Sequence, residues 1–220
     1  MLSVDQLDLI ESESRRLIDA ARRDPEGGVP QYPDWSLSDL ASHLASIHGR
    51  TTLICAQLPK ERISAPRLPE GADPVAWCEE MMEEMMEALR GTPPDLEVWA
   101  FGPEKTIGFW QRRMLNETGI HRWDAEQAFG VPEGLVDDVV ICGLDEFDGM
   151  YVHQLGDVPT IRLVATDLDR SWTYGVSEPT LTVEATGSDL YLRLMSRPSS
   201  AQLPTSWATA VDALEPPPKR

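Results

Sequence analysis

The sequence predicts a mixed α + α/β protein: a four-helix bundle over residues 1–130, then a small α+β domain over 131–220. Three observations lead there. Four stretches before Gly130 repeat apolar residues at the i, i+3, i+4 spacing of amphipathic helices. After Val131 three short segments change to period-two alternation with turn residues between them. Runs dense in Pro and Gly supply the connections.

The first helix is expected over Ser3 to Arg23, with Val4, Leu7, Ile10, Leu17, Ile18 and Ala21 on its apolar face. Its acids come early and Arg22 and Arg23 late, as the helix dipole favours. The next twelve residues, DPEGGVPQYPDW, are expected to be loop. Ser36 and Asp39 resemble a capping box for a second helix, whose stripe is Leu37, Leu40, Leu44, Ile47, Ile54 and Leu58, ended by Pro59. His43 points into the same interior as Leu40 and Ile47. His48 stands about 140° further round and is not expected to share its site.

Asp73 followed by Pro74 is an N-cap with proline at the first helical position, opening a third helix that ends at Gly91. Its Trp77, Met81, Met82, Met85, Met86 and Leu89 read as core filler, although such methionines also suit an adaptable pocket wall. The fourth helix is expected over Phe109 to Gly130, with Gly130 as its C-cap. Beyond it, Glu133 to Met150 reads as a fifth helix, and TIRLVAT, SWTYGV and PTLTVEAT read as strands. SDLYLRLMSR returns to helical spacing with Ser188 as its cap, and a last helix is expected from Thr205 to Leu214 before the tail EPPPKR.

Composition narrows the functional classes. A formal net charge of -18 argues against nucleic acid or an anionic membrane surface as partner. No apolar run reaches the length of a membrane span, and the acidic N-terminus lacks the features of a signal peptide. Cys55, Cys78 and Cys142 form no CxxC pair or disulfide framework, which points to a reducing cytoplasm. A monomer or weak dimer is expected.

The chemistry gathers on the fourth helix. Trp110, Met114, Glu117, His121, Ala125 and Ala128 fall on one face, and two of the six do not suit a core. A carboxylate buried alone costs several kcal/mol or takes up a proton. Glu117 and His121 stand one turn apart, with Cβ atoms roughly 5–6 Å apart, a spacing that presents two ligands to one cation. With His43 they make two imidazoles and a carboxylate, a catalytic type of zinc site with a vacant position; nickel, iron or manganese accept the same donors. Spacing alone leaves a second reading open, a core histidine satisfied by a buried glutamate. Asp124, three residues past His121, fits either a hydrogen bond to that ring or a salt bridge to Arg113 or Arg122. Arg113 suits a pair with Glu117. Trp99 and Phe101 fit either a substrate cleft or a core, and His153 has no constellation around it.

The runs WSLSDLASHL at 35–44, VWAF at 98–101 and GFWQRRMLNETGIHRWDAE at 108–126 resemble the mycothiol-dependent maleylpyruvate isomerase family, one of the DinB-like metal-binding bundles. DLYLRLMSR at 189–197 resembles that family's closing helix more loosely. The resemblance implies zinc held by His43, Glu117 and His121, and a low-molecular-weight thiol, mycothiol, whose sulfur takes the open position. It implies further that Arg197 is a catalytic residue at the cleft, while no motif anchors a second substrate-binding arginine; Arg50 and Arg62 are the alternatives. The expected activity is S-transfer to, or cis–trans isomerisation of, a small electrophile. Two alternatives are a non-enzymatic metal- or thiol-binding module and a hydrolase using zinc-bound water. The hydrolase needs a general base, and Asp39 is the one candidate.

Overall fold

The computed structural model describes residues 2–130 and 132–214; the expected tail EPPPKR and the expected domain start at Val131 lie outside them. Two compact units emerge, the first ending at Gly134 and the second beginning at Leu135.

In the first unit, α1 (Val4–Arg23) opens with a capping box in which Ser3 and Gln6 satisfy each other's backbone amides. Two short antiparallel strands follow, β1 (Gly28–Val29) and β2 (Tyr32–Ser36). The segment expected to be loop is therefore a hairpin. Pro30 sits in the turn while Gly28 and Pro33 lie within the strands, and Tyr32 and Trp35 are buried and hold the ribbon down. The helix α2 (Leu37–Gln57) starts without any linker: Ser36 is both the last residue of β2 and the helix N-cap. Asp39 closes the capping box by accepting from the Ser36 amide at 2.9 Å. The next amides, of Leu37 and Ser38, donate to the carbonyls of Gly27 and Pro25. Leu58, expected on the apolar stripe, is instead the left-handed C-cap (φ 45°) and is exposed.

α3 (Pro74–Gly91) is capped by Asp73 as expected and packs along α2. Gly49 permits that approach, since a Cβ there would lie 2.6 Å from Pro66 Cγ and 2.9 Å from Met81 Sδ. α4 (Ile107–Gln127) is capped by Thr106, packs on α1 and α2, and is buried on nearly all sides from Ile107 to Ala125. It ends at Ala128 rather than at Gly130, which has φ +92° in the turn that follows.

In the second unit, α5 (Asp137–Met150) starts four residues later than periodicity suggests. The cause is on the preceding helix: Arg122 donates to the carbonyls of Glu133 and Gly134, and Glu126 accepts from the Glu133 amide. Those groups are thereby taken out of helix formation. A single 3-10 turn (Val152–Gln154) leads to a three-stranded sheet in the order β4 (Arg170–Tyr174), β3 (Ile161–Ala165), β5 (Leu181–Ala185). The β3–β4 pair is antiparallel and the β3–β5 pair parallel. α6 (Gly187–Leu194) is capped by Thr186, not by Ser188, which lies inside the first turn. α7 (Thr205–Asp212) buries Trp207 and Val211. The fold is thus an N-terminal helical bundle followed by a mixed α/β region. No helix among the described residues is long and apolar enough to cross a membrane.

Candidate metal centre

His43 lies two turns into α2, and its rotation about the helix axis is set by the cap at Ser36. Glu117 and His121 lie one turn apart in the middle of α4, where the helix is buried all round. All three residues are nearly inaccessible, at 3%, 8% and 3% exposure. One ligand atom from each falls within 4.8 Å of the others. Glu117 Oε1 sits 3.6 Å from His121 Nε2 and 3.9 Å from His43 Nε2. The two imidazoles face each other edge to face, with centroids 5.2 Å apart and planes at 85°.

These separations bear on the two readings of the trio. A hydrogen bond between nitrogen and a carboxylate oxygen closes to about 2.7–3.2 Å, and both distances exceed that. A tetrahedral cation with ligand bonds of about 2.0–2.1 Å holds its donors roughly 3.3 Å apart along each edge. The trio lies nearer the tetrahedral edge than the bonded pair. It is a buried His/His/Glu cluster capable of chelating a divalent ion.

The groups behind the ligands are also engaged. His121 Nδ1–H donates to Asp124 Oδ2 at 3.0 Å, which turns Nε2 toward the trio. Arg113 donates to Glu117 Oε2, which leaves Oε1 as the oxygen facing the imidazoles. Burial pushes the Glu117 carboxyl up, but the Arg113 charge and the two imidazoles outweigh it and hold it well below the usual range. Burial pulls His121 down, and Asp124 and Glu117 more than compensate, so its pKa is raised.

Sequence reasoning missed the wall of this site. The Trp35 ring lies 5.1 Å from His43, the Tyr32 ring 6.1 Å from His121, and the two aromatics stack on each other at 4.7 Å. Two large aromatics just ahead of a capping serine were the available signal, hidden in a segment whose prolines read as loop.

The remaining candidates separate cleanly. His48 is fully buried and stays outside the trio, with Nε2 3.3 Å from Thr118 Oγ1. Burial drives its pKa down to about 3. Trp99 and Phe101 join Trp110 in an aromatic cluster, and the Arg50 guanidinium lies 5.1 Å above the Phe101 ring. Arg62 is exposed. Arg122 pairs with Glu13 and Glu126. Arg197 belongs to the second unit, where it follows α6 with its amide on the Leu192 carbonyl and Nη1 on the Met195 carbonyl. The cysteines are buried; burial pushes Cys55 up to about 11 and Cys78 up to about 12.

Comparison with known proteins converges on one family. The domain family described as Mycothiol maleylpyruvate isomerase N-terminal domain matches residues 7–126. A crystal structure of the mycothiol-dependent maleylpyruvate isomerase superposes with a TM-score of 0.70 at 13% identity, covering 90% of each chain. The structure of a histidine-to-alanine mutant of a protein of that description gives 0.70 at 14% identity, again over 90% of each chain. At those identities the likeness is one of fold. No curated protein matches in sequence.

Proposed function

The chain belongs to the mycothiol maleylpyruvate isomerase N-terminal domain family, and from that premise we propose that it is a thiol-dependent metalloenzyme. His43, Glu117 and His121 hold a divalent cation, zinc in the first place, and mycothiol is the thiol. The reaction is S-transfer to, or cis–trans isomerisation of, a small electrophile. The observation that carries this reading is the convergence of three buried donors within 4.8 Å, with Glu117 Oε1 too far from either imidazole Nε2 for a hydrogen bond and near a coordination edge.

A cation held there by His43, Glu117 and His121 would lower the pKa of a thiol in its open position and so would supply, at neutral pH, a nucleophile for an activated alkene or a leaving-group carbon. The chain's own residues prepare the site for it. Asp124 fixes the His121 tautomer so that Nε2 keeps its lone pair for the ion. Tyr32 and Trp35 pack on the imidazoles and keep water from that side. With Glu117 and Asp124 negative, Arg113 positive and both imidazoles neutral, a divalent cation leaves one net positive charge, which one bound monoanion such as a thiolate neutralises. Arg197 is assigned the substrate: its guanidinium suits a carboxylate, or the negative charge that develops on addition.

Two features favour this reading over its rivals. The cysteines are buried, and burial keeps the Cys55 and Cys78 thiols protonated, which favours an attacking sulfur from outside. Asp39, the general base a hydrolase would need, is engaged by the Ser36 amide and hydroxyl at the helix cap. Buried cysteines without a disulfide also suit a cytoplasmic setting.

The test is direct. Protein purified without chelator should carry about one equivalent of metal, and should join mycothiol to an electrophile, or isomerise a cis-enoyl acid, by mass spectrometry or ultraviolet absorbance. Metal without thiol chemistry would favour a binding module, and thiol-independent hydrolysis the hydrolase. His43→Ala and Glu117→Ala should each abolish metal retention; retention by both would remove the ligand assignment.

A further inference from the structure

Two of the three proposed ligands have their second polar atom already engaged. His121 has Nδ1 on Asp124, and Glu117 has Oε2 on Arg113. A carboxylate offers a cation one oxygen or two, and the choice sets how many positions remain for other ligands. We infer that Arg113 makes Glu117 a one-oxygen ligand: by engaging Oε2 it reserves Oε1 alone for the cation and keeps a coordination position open for an outside ligand. The inference rests on the metal-binding reading above and adds the coordination mode to it.

The geometry is one-sided. Both imidazole Nε2 atoms are closest to the same oxygen, Oε1, at 3.6 and 3.9 Å, while Oε2 faces the guanidinium. The pair is not explained as a support for α4. Helices gain most when the acid precedes the base by four residues, and here Arg113 precedes Glu117. Nor is it a solvated surface pair, since the side chains are 14% and 11% exposed. The adjacent Arg112 shows the surface alternative, paired with the exposed Glu104 on the helix exterior. Arginine suits the task because its guanidinium cannot lose its proton in a protein, so its hold on Oε2 does not lapse as the pH changes. Lysine would keep a single charged donor there.

Cobalt(II) tests the inference, because its visible absorption is strong at low coordination number and weak at high. The full-length chain is stripped with chelator and loaded with cobalt alone. The wild type should bind one equivalent with an intense visible band. Arg113→Met should still bind one equivalent, but with the band weakened several-fold and shifted as the freed Oε2 joins the ion. Arg113→Lys should restore the intense band. An Arg113→Met protein that binds cobalt with the wild-type spectrum overturns the inference and leaves the metal site standing. Loss of cobalt from folded Arg113→Met overturns it too, in favour of a role in keeping the carboxylate in place. A wild type that binds no cobalt removes the metal reading itself. If Arg113→Met does not fold, infrared spectra of the wild type decide. One-oxygen coordination widens the gap between the two carboxylate stretches on loading, and a narrowed gap overturns the inference.

Discussion

His121 donates Nδ1–H to Asp124 across 3.0 Å, and Asp124 has no exposed surface at all. A buried carboxylate three residues along the same helix thus sets which imidazole nitrogen carries the proton. In Asp124→Asn a neutral amide replaces the anionic acceptor, so the hold on the Nδ1 proton loosens and Nε2 becomes a weaker, less firmly oriented ligand. Metal affinity, measured by competition with a chromophoric chelator, should fall roughly 10- to 100-fold while the far-UV circular dichroism stays helical. Unchanged affinity would remove Asp124 from the site.

His48 makes the fold sensitive to acid. Burial lowers its pKa from 6.5 to about 3, with Glu117 opposing the shift and His121 adding to it. Between those values the unfolded chain binds a proton that the folded chain refuses, so this contribution to stability is complete above pH 6.5 and is lost as pH falls toward 3. The full loss is on the order of 4–5 kcal/mol. Glutamine at this position keeps an amide for Thr118 and does not titrate. His48→Gln should therefore shift the acid-unfolding midpoint, followed by circular dichroism, to lower pH; an unchanged midpoint would clear His48.

Arg122 is fully buried against Glu13, which is 1% exposed, at 2.7 Å. Removing the guanidinium strips a buried carboxylate of its main partner. Arg122→Met should cost about 3–5 kcal/mol in urea denaturation. Combining it with Glu13→Leu should recover much of that, because apolar groups need no partner. A double variant as unstable as the single would show that Arg122 acts through the Glu133 and Gly134 carbonyls it also binds.

The cysteines give the simplest check. Cys55, Cys78 and Cys142 are at most 8% exposed. Native protein should show almost no reaction with a disulfide reagent over minutes, and all three thiols should react once guanidinium unfolds it. A fast-reacting thiol in the native protein would reopen the chain itself as a source of nucleophilic sulfur.

The helices were legible where local signals and packing agree. Ser36 with Asp39 and Asp73 with Pro74 mark their helix starts in the sequence and cap them in the structure. The misfit of Glu117 and His121 on an apolar stripe marked the cluster, because a buried acid needs a reason to be there. What stayed hidden depends on contacts distant in sequence. The hairpin at Gly28–Ser36 is held by Tyr32 and Trp35 lying on imidazoles from two helices, and no local pattern of prolines and glycines reports that. The late start of α5 follows from an arginine at position 122 binding the carbonyls before it.

Ser36 ends the hairpin and begins α2 with nothing between. That junction works as a phase setting. One residue inserted there would turn everything downstream by about 100°, swinging the His43 imidazole off the Trp35 ring and away from its two partners on the other helix. This chain can therefore accept length changes in its outer loops far more readily than between the aromatic ribbon and His43.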